Sequence, residues 1–421
     1  MPPAPHEITM STTLIPVVHA RESVLEVISP LDPESVAIDD ALGRVLAEDV
    51  RAAEDVPPFP CSAMDGYAIL AGDFGRHLTV VGESRAGTPA GRAVGEGEAI
   101  RVSTGAALPA GATAIIPQEE VERTGDEIAT RADSAPGQHI RGAGEDMRAG
   151  ALQLTAGSRL TAVELGAAVA AGVGTLSVSR RPRVTILCTG DELRAPGEPL
   201  GPGEIHNSNA PMLVGLATGA GALAGPAQRL PDDRGATERG IEEALQSSDV
   251  VIISGGVSVG PHDHVKPALA QLGVDEVFWS VALQPGKPTW FGLLRSGGLR
   301  AVSPLVFGLP GNPVSAVVTF SLFVAPALAA LQGGPAPRPP HAAALLATDV
   351  TRNPRRDQAI RVRLELGGED TGAPPLTAFP NGPQGSHILT SLLGADALAM
   401  IPMGEGVLPA GSTVALEALG R

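Results

Sequence analysis

Lysine is almost missing from this chain: it occurs twice, at Lys266 and Lys287, against 28 arginines. Cysteine also occurs only twice, at Cys61 and Cys188, so a disulfide framework is excluded and a reducing compartment is expected. Aromatic residues make up 3%, with a single tyrosine, so the cores must be built from Val, Leu, Ile and Ala. Positive charge is outnumbered, 30 basic residues against 46 acidic ones, for a net charge of −16. A chain of that sign repels a phosphate backbone, which argues against general nucleic-acid binding, and an anionic small ligand would need a local positive site or a metal ion. The first ten residues lack the charged-then-apolar order of a signal peptide. The one stretch without charge, residues 301–337, is broken by Pro304, Pro310, Gly311, Asn312, Pro313 and Pro326. Its helical part, 314–331, only just reaches spanning length, so a buried helix of a soluble, cytoplasmic protein is the expectation.

What is abundant is glycine and proline, 52 and 39 residues with no collagen period, and 43% apolar residues over 421 positions. That is several domains with real cores and many turns. Residues 14–47 read as helical, with Val17, Val18, Val24, Leu25, Val27 and Ile28 at helical spacing. From 48 to 145 short apolar pieces among Gly and Pro, such as 77–82 and 112–117, indicate a β-rich module, and 158–175 returns to helix. One small domain interrupted by an inserted one fits that order. From 180 to 331 strands and helices alternate: strands at 184–188, 249–254, 276–283, 288–294 and 301–308, helices at 208–220, 234–246, near 263–272 and at 314–331. That alternation means a mostly parallel sheet covered on both faces, which binds ligands beyond the carboxyl ends of its strands. After a Pro-rich linker, Ile360, Val362, Leu364 and Leu366 alternate with Arg361, Arg363 and Glu365, a half-buried strand of a last β domain. Leu108 to Thr113 recurs nearly intact as Leu408 to Thr413, which we read as shared turn chemistry ahead of a strand.

Four loops stand where central strands should end. Thr189 to Leu193 carries Asp191 and Glu192, and a capping Asp on a following helix is its plain structural explanation. Ser254 to Gly260 sets three glycines and two serines before a helix, a cradle of N–H groups and hydroxyls for an anion, although it matches neither a Walker loop nor a dinucleotide fingerprint. Gln284 to Pro288 holds Lys287, and Gly308 to Ser315 holds Asn312 and Ser315, able to bond a ligand or cap a helix. Asp232 and Asp233, with Glu192 and Asp263, could converge on one cavity, where clustered carboxylates beside a phosphate loop suit Mg²⁺. In the β module, Asp65 and Gly66 form a turn signal between apolar flanks, for which a hairpin is the plain reading. The histidines show no metal spacing, so zinc is not expected.

Taken in order, these strings resemble the molybdopterin molybdenumtransferases of the MoeA type, to which the E domain of gephyrin is similar. The matching pieces are 62–68, Thr104 with Gly105, 141–146, 189–193, Asp232 with Asp233, 254–260 with Asp263, 285–288, 308–315 and 384–387, over nearly the whole chain. The resemblance implies an α/β multidomain fold. Its parts are a discontinuous helical and dimerisation domain (12–47 and 148–178), an inserted β-rich domain (48–147), a central three-layer, MogA-like α/β molybdopterin-binding domain (179–332) and a C-terminal β-barrel-like domain (338–421). It also implies a homodimer with its site between the central domain of one subunit and the inserted domain of the other.

The implied reaction is molybdate insertion into adenylylated molybdopterin with Mg²⁺-dependent loss of AMP. Glu192, Asp232 and Asp263 would hold the metal, and Asp65, Asp263 and Lys287 would be catalytic. Thr104, Arg141, Asp146, Gly255, Gly256, Ser258, Lys266, Pro310, Asn312, Pro313, Ser315 and Ser386 would bind substrate. Implied partners are molybdopterin adenylyltransferase and apo-molybdoenzymes. Ser280 and Gln284 stand where family members often carry basic residues, which should weaken oxyanion binding and bears on the choice between molybdate and tungstate. A non-catalytic molybdopterin-binding or scaffold paralogue, or a molybdopterin adenylyltransferase, are the competing readings.

Overall fold

The computed structural model describes residues 14–257, 264–294, 303–339, 341–366 and 376–419. They form two compact units, one from the described residues up to Glu34 together with those from Ser179 on, the other from Ser35 to Val178.

At the centre of the first unit is a seven-stranded sheet. Its order is Leu223–Ala224, Arg183–Thr189, Val250–Ser254, Leu305–Leu309, Trp290–Leu294, Val274–Trp279, with Gln228–Leu230 beside the far end of Arg183–Thr189. The first four strands of that order run parallel and the last two pair antiparallel. Strands buried on both faces need no polar alternation, hence the unbroken run Val250 to Ile253. Ile186, Ile252 and Phe307 face a core shared with the helices Val17–Leu25, Asn209–Gly219 and Pro313–Thr319. Leu187, Val251, Ile253 and Val306 face the opposite core with Arg234–Ser247 and Val265–Gln271. The scarce aromatics are concentrated here: Phe278, Phe291, Phe307 and Phe323 form one cluster with ring centroids 4.9–6.3 Å apart.

The charge-free helix runs from Pro313 to Leu331 with mean hydropathy 2.2 and lies 94% inside the protein, as a core helix. It widens to a π turn over Phe320–Val324. Pro326 cannot donate to the carbonyl of Leu322, and Arg21 Nε does so instead at 3.3 Å while its Nη2 pairs with Glu417 at 2.8 Å.

The helical expectation for 14–47 is corrected: only Val17–Leu25 is helical, and Pro33–Ala37 is a strand followed by one 3₁₀ turn. Val17, Ala20 and Val24 are buried against the central core, whereas Val18 is 62% exposed, so one narrow stripe decides the helix, which ends at Leu25 well before Pro30.

Five strands close the C-terminal barrel, Asp357–Leu366 pairing with both Leu376–Pro380 and Ala397–Ile401. The alternation read along 360–366 fails at Arg361, which is completely buried. Its Nε donates to Ser391 Oγ (3.1 Å) and its Nη2 to the Pro383 and Gly385 carbonyls (3.2 and 3.3 Å), while burial pulls the guanidinium down to about 10.

In the second unit, a six-stranded sheet runs Ala114–Pro117, Gly66–Ile69, Glu98–Val102, His77–Ser84, Glu127–Thr130, Val121–Thr124. A smaller core of Leu46, Val50, Leu160, Ala168, Leu176 and Val178 carries the unit's single α-helix, Ala162–Ala170, started by a Thr161–Glu164 capping box. The repeated Leu-Pro-Ala-Gly string is a turn before a strand both times, with the Ala112 and Ser412 amides on the Pro109 and Pro409 carbonyls.

Candidate active site

A pocket of about 610 Å³ opens beyond the carboxyl ends of Arg183–Thr189 and Val250–Ser254. Three of the four loops chosen from sequence contribute to its wall, through Glu192, through Gly255 with Gly256, and through Asn312 with Pro313; Asp232 joins them. The loops are tied to one another by backbone. The Gly255 amide donates to the Leu309 carbonyl at 3.1 Å, and Asp191 and Asp232 each accept the other's amide at 3.3–3.4 Å. Gly255 and Gly256 have φ of +89° and +63°, and a Cβ on either would come within 2.9 Å of Thr189 Oγ1. Only glycine lets the loop turn here.

The plain structural readings fare differently position by position. No helix follows Thr189 to Leu193, so Asp191 caps none and faces Asp232 instead. Asp233 does cap a helix, accepting from the Ala236 amide at 2.8 Å, which separates its task from that of Asp232. Asn312 stands at the N-cap of Pro313–Thr319 but gives no side-chain cap; its Nδ2 donates to Ser386 Oγ at 3.0 Å, and the Ser386 carbonyl accepts the Val314 amide. The C-terminal domain thereby reaches the rim of the pocket, and Arg361 holds the loop that carries Ser386.

Other expected residues lie apart from the pocket wall. Lys266 is seated over the Trp279 ring, 3.2 Å from its centroid, a cation–π contact. Lys287 is exposed on the 284–289 turn, Ser315 and Pro310 are buried, and Gln284 Oε1 accepts from Asn353 Nδ2 at 2.6 Å. Ser280 sits at φ +70° between strand and turn. Ser258 and Asp263 lie outside the described residues.

Within the second unit, Asp65 and Thr104 meet: the Asp65 carboxylate accepts from the Thr104 amide at 2.6 Å and from its hydroxyl at 2.9 Å. The Thr104 amide, then the Thr104 hydroxyl, hold the Asp65 carboxyl below its ordinary range. Arg141 pairs in register with Cys61, and the Gly105 amide bonds the Ser62 carbonyl, so the 61–66, 103–107 and 139–141 segments form one cluster. The Asp146 amide is fixed to the Val56 carbonyl. The expected Asp65–Gly66 hairpin is absent. Gly66 lies inside the sheet, where a Cβ would collide with the Ile116 carbonyl, so the glycine serves close strand approach.

Sequence reasoning missed the segment His206 to Asn209, all four of which line the pocket. Cys188, also on the wall, has its thiol pushed up by burial and pulled partly back by a bond with Asn207. A signal was available: Asn207, Ser208 and Asn209 are more capping residues than one helix start needs, and Ser208 at the N-cap makes no side-chain cap.

Comparison with known proteins matches three successive stretches of the chain. Residues 15–172 match the family described as MoeA N-terminal region (domain I and II), 185–330 the probable molybdopterin binding domain, and 343–419 the MoeA C-terminal region (domain IV). Molybdopterin molybdenumtransferase 2 of Mycobacterium tuberculosis is 37% identical over 396 residues, covering 90% of this chain and 93% of the relative. The chain belongs to the molybdopterin molybdenumtransferase family. The enzyme of that name from Haemophilus influenzae is 34% identical, covering 94% and 97%. Among solved structures, the molybdopterin biosynthesis MoeA protein of Pyrococcus horikoshii is 32% identical with a TM-score of 0.79, covering 97% of this chain and all of that one. The fold class expected from the resemblance is thus the one observed: a MoeA-like α/β multidomain chain with a MogA-like central domain, a β-rich inserted part and a closed C-terminal barrel, although helices are few.

Proposed function

We propose that this enzyme inserts molybdenum into adenylylated molybdopterin with Mg²⁺-dependent release of AMP, the last step of molybdenum cofactor synthesis. The observation that carries it is the meeting of Glu192 and Asp232 on one pocket wall with the glycine turn at 255–256, in a chain of this family. Two hard carboxylates fit Mg²⁺, which keeps several waters and takes one or two carboxylates plus substrate phosphate oxygens; Asp263 is assigned as the third acid. When bound, Mg²⁺ supplies positive charge against the phosphates of the substrate and the departing AMP. The residues of the chain do the rest. The 254–256 turn and the start of Asn209–Gly219 shape the anion end of the pocket; the Gly255 amide is committed to the Leu309 carbonyl and the Ala210 amide to Asn207 Oδ1 (3.1 Å), so the bound metal would supply the positive charge there. The Asn312–Ser386 bond fixes the pocket's rim.

Asp65, whose ionised form is favoured by the two Thr104 donors, with Thr104, Arg141 and Asp146 is assigned to the same reaction. Molybdate is assigned as the second substrate. The enzyme is assigned as a cytoplasmic homodimer: both cysteines are free and buried, and the helix Ala162–Ala170 exposes Val163 (77%) and Val169 (55%), an apolar stripe that suits a second copy. Transfer of substrate from molybdopterin adenylyltransferase and of product to apo-molybdoenzymes completes the assignment.

The test is reconstitution. The full chain with adenylylated molybdopterin, molybdate and Mg²⁺ should yield cofactor that activates an apo-molybdoenzyme, and Asp232→Asn should cut the rate about 100-fold. Tight pterin binding without AMP release under any metal would instead mark a non-catalytic paralogue, and ATP consumption with pyrophosphate release would mark the adenylylation step.

A further inference from the structure

Asn209 opens the helix Asn209–Gly219 and is only 8% exposed on the wall of the pocket. Its Nδ2 commits both hydrogens, one to Ser254 Oγ at 2.9 Å and one to the Gly311 carbonyl at 2.8 Å. Turning the amide over would set Oδ1 against that carbonyl, acceptor to acceptor, so the orientation is fixed by chemistry. Asn209 Oδ1 is left buried with no hydrogen-bond partner among the described residues. Buried acceptors are nearly always satisfied, so an exception on a pocket wall calls for a group that comes and goes.

The geometry points to Asn209 as the residue that reads the guest's ring: Oδ1 accepts a hydrogen bond from the exocyclic amino group of a nitrogen heterocycle. This rests on the proposed function and deepens it. The close backbone approach that Gly255 and Gly256 permit suits the anionic end of the guest, whereas Oδ1 can only accept and so calls for a donor. The same amide braces the two glycine-bearing loops through Ser254 and Gly311, so reading the ring and shaping the phosphate cradle are coupled in one side chain. Two rings of the substrate carry such donors, the pterin and the adenine, and the pairs of ligands below separate them.

Titration calorimetry on the full chain compares AMP with inosine monophosphate, and 6-hydroxymethylpterin with 6-hydroxymethyl-lumazine, each pair exchanging an amino donor for an oxo acceptor. In wild type, the oxo member of the pair whose ring reaches Asn209 should bind about tenfold more weakly, because two acceptors then face each other. The other pair should show no preference, which identifies the ring. Asn209→Ala should abolish the discrimination, while Ser254→Ala should weaken both members alike and leave their ratio intact. Should Asn209→Ala fail to fold, the wild-type ratios alone decide. Equal binding of both members in both pairs would overturn the assignment and leave the proposed function standing. No binding of either AMP or the pterin would overturn the proposed function along with it.

Discussion

The pocket of the central domain and the Asp65–Thr104 cluster of the inserted module carry polar chemistry in opposite ways. In the pocket two exposed carboxylates, Glu192 and Asp232, share the wall with a buried asparagine, all placed by loops that bond one another and turn only because Gly255 and Gly256 lack a side chain. In the cluster the key group is an exposed carboxylate whose ionised form is favoured by two donors from one residue. The first arrangement is a matter of shape and fails when shape fails. The second is a matter of local charge and can be altered with the fold untouched. Substitutions in the two regions should therefore differ in what they damage; one in each region and one in the barrel beside the pocket's rim measure how far the contrast holds.

The largest effect is expected from Gly255→Ala. The new Cβ would lie 2.8 Å from Thr189 Oγ1 and 3.1 Å from the Thr189 carbonyl, at a φ of +89° that no L side chain favours. A loss of about 3 kcal/mol in urea unfolding, with substrate binding lost as well, is the expected result. Unchanged stability would mean that the loops yield, and the contrast would collapse.

Arg361→Met is expected to fall in the middle. It removes donors to Ser391 and to the Pro383 and Gly385 carbonyls, and also relieves the burial of a guanidinium with no carboxylate bonded to it among the described residues. Orphaned acceptors cost more than removal of the buried charge recovers, so unfolding should show a net loss of about 1–2 kcal/mol. If the loop at 383–386 positions Ser386 against Asn312, AMP affinity should fall too, although Arg361 lines no part of the pocket.

The same residues divide into those whose place can be read from the amino-acid order and those whose place cannot. The central sheet is legible because its strands are buried on both faces and its helices intervene, a pattern written in runs such as Val250 to Ile253. The pocket is legible as loops at strand ends. Arg361 is not, because alternation marks an outward face and cannot tell water from a loop folded over that face. Asn209 escapes notice because a polar residue at a helix start has a simpler explanation as a cap, and only its hydrogen bonds show that it caps nothing. Gly66 misleads for a similar reason: Asp-Gly is turn chemistry locally, and the neighbouring Ile116 carbonyl that demands glycine lies 50 residues away in sequence.

The smallest effect, and the sharpest on the side of charge, is Thr104→Val. The hydroxyl bond to Asp65 disappears while the backbone amide bond stays, so the Asp65 pKa should move up part of the way toward the ordinary carboxylate range. Because the folded-state pKa lies below the unfolded one, the contribution of the Asp65–Thr104 bonds is present at neutral pH and is lost as pH falls through the folded value. In the valine variant that loss should begin at a higher pH, with no measurable change in stability at pH 7, since the carboxylate is exposed. Carboxyl-carbon chemical shifts followed against pH give the answer directly. A midpoint identical to wild type would show that the amide alone sets the charge of Asp65, and a fall in neutral-pH stability would show that the cluster, like the pocket, depends on shape.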